Sequence, residues 1–295
     1  MSRIIQLAEY FQRTAQAGAL AVAAPPAQPI PPPVNTTPDR AREHVPTPTA
    51  GRVLEALIVA QRLCSVALVY GAQGVGKTAA ARAFVDEADA AANAGRAAYE
   101  PRRNCGVWYV TADPAASTMV AMLKRICAAM EALPPERSDG AADLHQKIIQ
   151  TATEHRERGL LIVDEAQHLA FDVLEQLRAI HDEASIGLAL LGSFELEARL
   201  VGGKAACALD SLRARVGRAV VIEGNTPEDA DAVADAWGFA GASARKEFAA
   251  LATGPGGLRA AVRAARFAQL LAQKDGRNPT GNDLEAAICE LNVNA

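Results

Sequence analysis

Aromatic side chains are scarce in this 295-residue chain, at 4% of the total. There is little material for the stacking platforms that hold single-stranded nucleic acid. Positive charge is short as well: 30 Lys and Arg stand against 34 Asp and Glu, a net charge of −4. A bulk basic field is excluded, so any nucleic-acid contact must come from local patches. No apolar run approaches the roughly 20 residues that a membrane-crossing helix requires. The Ala/Leu-rich stretch 15–24 follows Glu9 and Arg13, is interrupted by Gln16 and runs into prolines, which argues against a cleaved leader. The five cysteines (Cys64, Cys105, Cys127, Cys207, Cys289) are odd in number and show no C-x-x-C spacing. That pattern points to reduced thiols in a cytoplasmic protein, without disulfides or a thiolate metal site.

What is present is alanine and aliphatic side chains, with half the residues apolar, enough for one large domain or two modest ones. Residues 2–23 form a helix candidate in which Ile4, Leu7, Ala8 and Phe11 share a face. It reads either as an unstructured end or as a partner-docking peptide. Nine of the 16 prolines fall between Pro25 and Pro48, and such a segment favours extended polyproline geometry. We take 1–23 as an N-terminal helix or tail and 24–50 as a Pro-rich linker.

From Gly51 helices and strands alternate. Strands are expected at Val66–Tyr70, Gly106–Thr111, Leu160–Asp164, Gly187–Gly192 and Ala219–Ile222. Helices are expected at Val53–Cys64, Lys77–Ala90, Thr118–Glu131, Ala141–His155 and Ala170–Glu183. Short apolar strands separated by helices predict a parallel sheet covered on both faces, an α/β core over 51–225. After Asn225 the strands stop. Thr226-Pro227-Glu228-Asp229 carries an N-cap, a proline at the first helical position and acids in the first turn. Four helices, at about 227–237, 242–252, 257–273 and 281–291, then predict a small helical lid over 226–295.

Residues 71–78, Gly-Ala-Gln-Gly-Val-Gly-Lys-Thr, fit G-x-x-x-x-G-K-[ST] between an apolar strand and a helix. Glycines there let backbone N–H groups turn inward around phosphate oxygens at the positive end of a helix. The nucleotide-cradling set is Gly71, Ala72, Gln73, Gly74, Val75, Gly76, Lys77, Thr78 and Ala79. Lys77 would reach the β- and γ-phosphates, and Thr78 would ligate magnesium. Downstream, Leu160-Leu161-Ile162-Val163 ends in Asp164-Glu165. Asp164 is placed to hold the metal, and Glu165 to polarise the attacking water as general base. Both motifs call for ATP and Mg2+. His168 reads as a packing histidine or one that supports its neighbours. Arg213, Arg215 and Arg218 cluster before the last strand, where one would project into a neighbouring subunit as an arginine finger. Arg259 opens a lid helix and would reach the γ-phosphate.

This order of parts resembles the AAA+ ATPases, and more narrowly the MuB family of Mu-like transposing phages with its TnsC-type relatives. The resemblance runs from about Val53 to Leu291. It includes Val107-Trp108-Tyr109-Val110-Thr111 with Pro114, the segment Gly159–Leu169, Val173–Arg178, Ile186–Gly192, Val233–Trp237 and Pro255–Arg259. It implies a P-loop AAA+ three-layer αβα core with a five-stranded parallel sheet and a C-terminal helical lid. It also implies Arg215 as the arginine finger, Arg259 as the sensor-2 arginine and Ser193 at sensor 1, where Asn is commoner and reaches further. The family implies a homo-oligomeric helical filament on double-stranded DNA that hands target DNA to a DDE-type transposase, with no membrane involved. Family members carry a helix-turn-helix domain ahead of the ATPase. Residues 1–50 here read as one helix and a proline tract, so that domain's DNA binding is expected to be missing.

Phosphate contacts dominate sequence-independent binding. Ser117 and Thr118, with Lys124 and Arg125 two turns on, are the favoured DNA group, because the family analogy lines the filament's inner surface with that loop and helix. Arg102 and Arg103 form a second patch. Arg259, Arg263 and Arg266 share a lid-helix face extended by Lys274 and Arg277. A secretion-associated AAA+ protein of the ExeA type, a helicase loader and a nucleotide-gated scaffold without turnover remain alternatives at this stage.

Overall fold

A computed structural model describes residues 44–291 except 98–99, 102, 115–117, 133, 156–158, 202–209 and 240. The expected N-terminal helix, the proline tract as far as 43, Arg102 and Ser117 lie outside the described residues. The chain divides into two compact units. One takes Arg52–Ala72 and Lys77–Glu223; the other takes the described parts of Met1–Gly51 and Gly224–Ala295, with Gln73–Gly76.

The first unit is built on five parallel strands: β1 (Val66–Gly71), β2 (Val107–Thr111), β3 (Leu160–Asp164), β4 (Gly187–Gly192) and β5 (Val216–Ile222), in the order β2-β3-β4-β1-β5. In β3, β4 and β1 every residue is buried, which is why those strands read as unbroken apolar runs rather than alternating ones. Register brings Thr111 opposite Asp164 and Tyr70 opposite Gly192. The ends of β1, β3 and β4 are thus gathered on the carboxyl side of the sheet, where open parallel sheets place their ligands. The helices are α1 (Pro48–Leu63), α2 (Lys77–Ala92), α3 (Met119–Ala129), α4 (Ala141–Glu154), α5 (Phe171–Ala184), α6 (Phe194–Val201) and the single turn α7 (Asp210–Arg213). The apolar faces of α3 to α7 join one core, in which Leu123, Ile126, Leu144, Ile148, Leu174 and Leu177 are buried; α1 and α2 bury Val53, Leu57, Ala80 and Phe84 outside that cluster. Trp108 is 2% exposed. Its indole N–H donates to Asn104 Oδ1 at 3.0 Å, and its ring meets His155 edge-on at 5.2 Å.

Three features differ from the sequence expectations. Helix α1 starts at Pro48 rather than Val53, because Thr47 accepts from the Ala50 and Gly51 N–H groups and begins the turn. Strand β5 starts at Val216 rather than Ala219. Gly217 and Arg218 are exposed on an edge strand, and the ladder needs their backbone, not an apolar side chain. Helix α6 was not anticipated; only Leu196 and Leu200 mark its buried face, and it is eight residues long.

The second unit contains α8 (Pro227–Ala236), α9 (Ala242–Thr253), α10 (Gly257–Lys274) and α11 (Gly281–Leu291). Thr226 caps α8 by accepting from the Asp229 N–H, and Asp229 answers by accepting from the Thr226 N–H at 2.8 Å. Along α10 the buried positions are mostly alanine (Ala260, Ala261, Ala264, Ala265, Ala268, Ala272), small enough for neighbouring helices to approach closely. Phe239 and Phe248 pack at 6.0 Å in the same core.

Candidate nucleotide-binding site

Between β1 and α2 the chain makes the turn that its glycines allow. Gly74 has φ +77°, and a Cβ there would lie 1.9 Å from the Gly256 carbonyl oxygen, so no other residue fits. Gly76 has φ +98°. Lys77, the first residue of α2, donates through Nζ to the carbonyls of Gly71 at 3.0 Å and Ala72 at 2.7 Å. Its ammonium therefore lies over the loop. The Thr78 hydroxyl donates to Asp164 Oδ2 at 2.6 Å.

Asp164 closes β3 and is 2% exposed. Oδ2 also accepts from the Tyr109 hydroxyl at 2.7 Å, and Oδ1 accepts from the Glu165 N–H at 2.9 Å. Burial and then the Asp164 carboxylate raise the Tyr109 phenol above its ordinary pKa, so it stays a donor. The Arg82 guanidinium lies over its ring, 5.4 Å from the centroid. A hydroxyl and a carboxylate side by side form a hard-oxygen donor set. Magnesium at phosphate sites takes one or two protein oxygens and fills its octahedron from water and phosphates, so Thr78 with Asp164 fits it. Among the described residues no three His, Cys, Asp or Glu cluster as a self-sufficient metal cage.

Glu165 sits in the left-handed region, φ 55° and ψ 35°. For a residue with a side chain that costs on the order of 1–3 kcal/mol and concentrates at functional positions. Its carboxylate accepts from Gln167 Nε2 at 2.5 Å. Ser193, the residue after β4, uses its hydroxyl to accept from the Glu195 N–H at the start of α6, and its own N–H donates to Gln167 Oε1. His168 is exposed, so it does not pack; its Nε2 lies 3.4 Å from Gln167 Nε2.

The arginines have partners. Arg215 binds Asp182 of α5 through Nε and the Ser211 carbonyl through Nη1. Burial would raise the Asp182 carboxyl, but Arg215, His181 and Arg178 hold it below its usual value. Arg213 pairs with Asp210 and Arg218 with Glu55. Within the second unit the Arg259 N–H donates to the Gly74 carbonyl at 3.3 Å, so the helix carrying Arg259 is fastened to the phosphate loop. Asn225 shares that fastening, donating to the Val75 carbonyl and accepting from the Leu258 N–H.

In the group favoured for DNA, Thr118 is the N-cap of α3, accepting from the Ala121 N–H. Lys124 is half-buried, within electrostatic reach of Asp139. Arg125 donates to Asp113 at 2.9 Å and to the Thr111 carbonyl at 3.0 Å, bracing the chain after β2. Arg103 is exposed. Arg259, Arg263 and Arg266 lie exposed along one side of α10, whereas Arg277 is taken by Asp283 in a two-pronged pair that caps α11.

The AAA domain family model matches residues 61–200, and the model of the Mu B transposition protein, C terminal, matches residues 214–291. Residues 61–200 are thus similar to an AAA domain, and the chain resembles the Mu B transposition proteins. The ATP-dependent target DNA activator B of Escherichia phage Mu is 28% identical over 251 residues, covering 84% of this chain and 73% of the relative. The Mu-like prophage FluMu DNA transposition protein B of Haemophilus influenzae is 33% identical over 207 residues, covering 68% of this chain and 65% of the relative. Among solved structures, the Aeropyrum pernix ORC1 protein in complex with DNA aligns at TM-score 0.62 and 19% identity, over 86% of this chain and 68% of that one. The ADP form of the ORC2 protein from the same organism aligns at 0.60 and 19%, over 82% of this chain and 66% of that one. These structural likenesses establish the AAA+ fold.

Sequence reading missed Tyr109, Gln167 and Asn225 at this site, and Asp182 as the partner of Arg215. Tyr109 and Gln167 lay inside segments recognised as motifs, with no local signal separating them from ordinary strand and turn residues. Asp182 and Asn225 gave no signal at all.

Proposed function

We propose that this protein is an ATP-dependent, largely sequence-independent DNA-binding ATPase. It forms helical filaments of its own copies on double-stranded target DNA in the bacterial cytoplasm and delivers that DNA to a DDE-type transposase. The observation that carries the ATPase part is the contact of Thr78 with Asp164, next to Glu165 and directly after the lysine-bearing loop. The name of the phage Mu relative, an ATP-dependent target DNA activator, supports the transposition part.

Lys77 exchanges its two carbonyl partners for the β- and γ-phosphates, its donors already aimed over the loop. Thr78 and Asp164 would hold magnesium, which would supply charge neutralisation at those phosphates. Tyr109 orients Asp164 by donating to its Oδ2, and Glu165 takes a proton from the attacking water. Arg215, aimed by Asp182 and the Ser211 carbonyl, stabilises the transferring phosphate in a neighbouring copy, while Arg259 and Ser193 sense the γ-phosphate. No helix among the described residues is long and apolar enough to cross a membrane.

The test is Glu165→Gln in the full chain with duplex DNA. ATP binding persists while turnover falls on the order of 10²- to 10⁴-fold, and electron microscopy shows filaments that no longer disassemble. Turnover at the wild-type rate, or filaments indifferent to nucleotide, would sink the reading.

A further inference from the structure

Gln167 is 9% exposed, and its carboxamide is held at both ends. Nε2 donates to Glu165 Oε2 at 2.5 Å, and Oε1 accepts from the Ser193 N–H at 3.1 Å. The partners settle which end is which, since a carboxylate only accepts and a backbone N–H only donates. The Gln167 main chain is held too: its carbonyl accepts from Arg199 of α6, whose other terminal nitrogen donates to the Leu169 carbonyl at 2.6 Å. Space for this bridge is kept by Gly192, where a Cβ would stand 2.6 Å from Gln167 Oε1 and 3.1 Å from Leu196. A rigid, nearly dry connection therefore runs from the end of β4 to the carboxylate after β3.

A carboxylate that polarises water must point in one direction while the phosphate is attacked, and a misplacement of about 1 Å costs on the order of 10²-fold in rate. With Oε2 occupied by the amide, Oε1 is the oxygen left to face water. We propose that Gln167 is the positioning residue of Glu165, orienting the carboxylate through its side-chain amide and taking its own register from the Ser193 backbone. The proposal rests on the reading of Glu165 as general base. Gln167 acts through Glu165 and makes the base and the strand end at Ser193 a single mechanical piece.

The test compares ATP turnover of the full chain with duplex DNA for wild type, Glu165→Gln, Gln167→Ala, Gln167→Glu and the double variant Glu165→Gln/Gln167→Ala. Gln167→Glu keeps the shape and an oxygen for the Ser193 N–H, but sets a second carboxylate against Glu165 in place of a donor. The expected result is a kcat lowered about 10- to 100-fold in Gln167→Ala and at least as far in Gln167→Glu. The KM for ATP stays unchanged, each variant still melts cooperatively above the assay temperature, and the double variant is no slower than Glu165→Gln alone. Wild-type kcat in either Gln167 variant overturns the proposal. So does a loss seen only with a raised KM or in a variant unfolded at the assay temperature, or a double variant slower than Glu165→Gln. Wild-type turnover in Glu165→Gln is a different failure: it removes the base reading, and the proposal falls with it.

Discussion

Two guanidinium groups and an imidazole converge on Asp182: Arg178 at 2.8 Å, Arg215, and His181 at 3.8 Å. The carboxylate is held below its ordinary pKa against the opposing pull of burial, so this group of contacts stays intact through the neutral range. An arginine finger has to be extended and aimed before it meets a neighbour's phosphate; in the role proposed for Arg215, Asp182 and the Ser211 carbonyl would do that aiming. Arg215→Ala is expected to lower DNA-stimulated turnover by about 10³-fold or more, the scale of a lost finger, with ATP affinity unchanged. Asp182→Ala, which leaves the guanidinium but frees it, is expected to lose several-fold only. Steady-state kinetics beside an ATP binding titration separates the two. Equal losses would mean that Asp182 is needed for the fold of this corner rather than for aim. Arg215 was recognisable from its place before β5, but its partner was not. Asp182 is one of several acids on α5, and only the packing of α5 against the turn at Ser211 singles it out.

At the scale of elements, the start of α1 and the start of α8 are joined by a buried carboxylate. Asp229 is fully buried; it accepts from the Thr49 N–H at 2.8 Å, the Thr49 hydroxyl at 2.6 Å and the Thr226 N–H at 2.8 Å. Burial pushes its pKa up, but these donors outweigh it and the net shift is downward. A depressed folded-state value stabilises the fold above the unfolded carboxylate pKa, near 3.9, and that stability is lost as pH falls through the folded value. Thr49→Val is therefore expected to cost about 1–3 kcal/mol at pH 7, the range for a donor lost to a buried charged acceptor. Thermal melts from pH 7 to 3 should show the difference from wild type shrinking at the acid end; a constant gap would refute the assignment. In the sheet unit, Trp108→Ala removes a fully packed indole and its bond to Asn104, and is expected to cost about 3–5 kcal/mol by denaturant titration. The capping box of α8 was legible because its signals are consecutive in sequence. Thr49 was not legible, since it lies 180 residues from Asp229 in a stretch whose prolines read as linker.

For the whole molecule, the net charge of −4 has to be reconciled with a DNA-binding reading. Arg125 and Arg277 are committed to Asp113 and Asp283, so they are poorer phosphate ligands than their spacing suggests. Arg259 and Arg263 on the exposed side of α10 are the better placed candidates. Binding that rests on few phosphate contacts per copy should depend on assembly, so affinity rises with protein concentration and with ATP. A finger supplied by a neighbour makes the same demand on turnover: ATPase activity per molecule should rise with protein concentration and with DNA. Hydrolysis independent of both, measured across a hundredfold dilution series, would exclude a finger supplied in trans.

The sequence by itself determined what short-range patterns encode. The phosphate loop, the acid pair after β3, the apolar runs of the buried strands and the four helices after Asn225 each lie within a few consecutive residues. Their chemistry follows from glycine geometry, capping, continuous apolar runs and the helical period of 3.6. Only the tertiary structure decided the couplings: Tyr109 on Asp164 across 55 residues, Gln167 on Ser193 across 26 and Asp182 on Arg215 across 33. The parallel sheet brings distant strand ends together, and a polar side chain shows which partner it has only when the strand beside it is known.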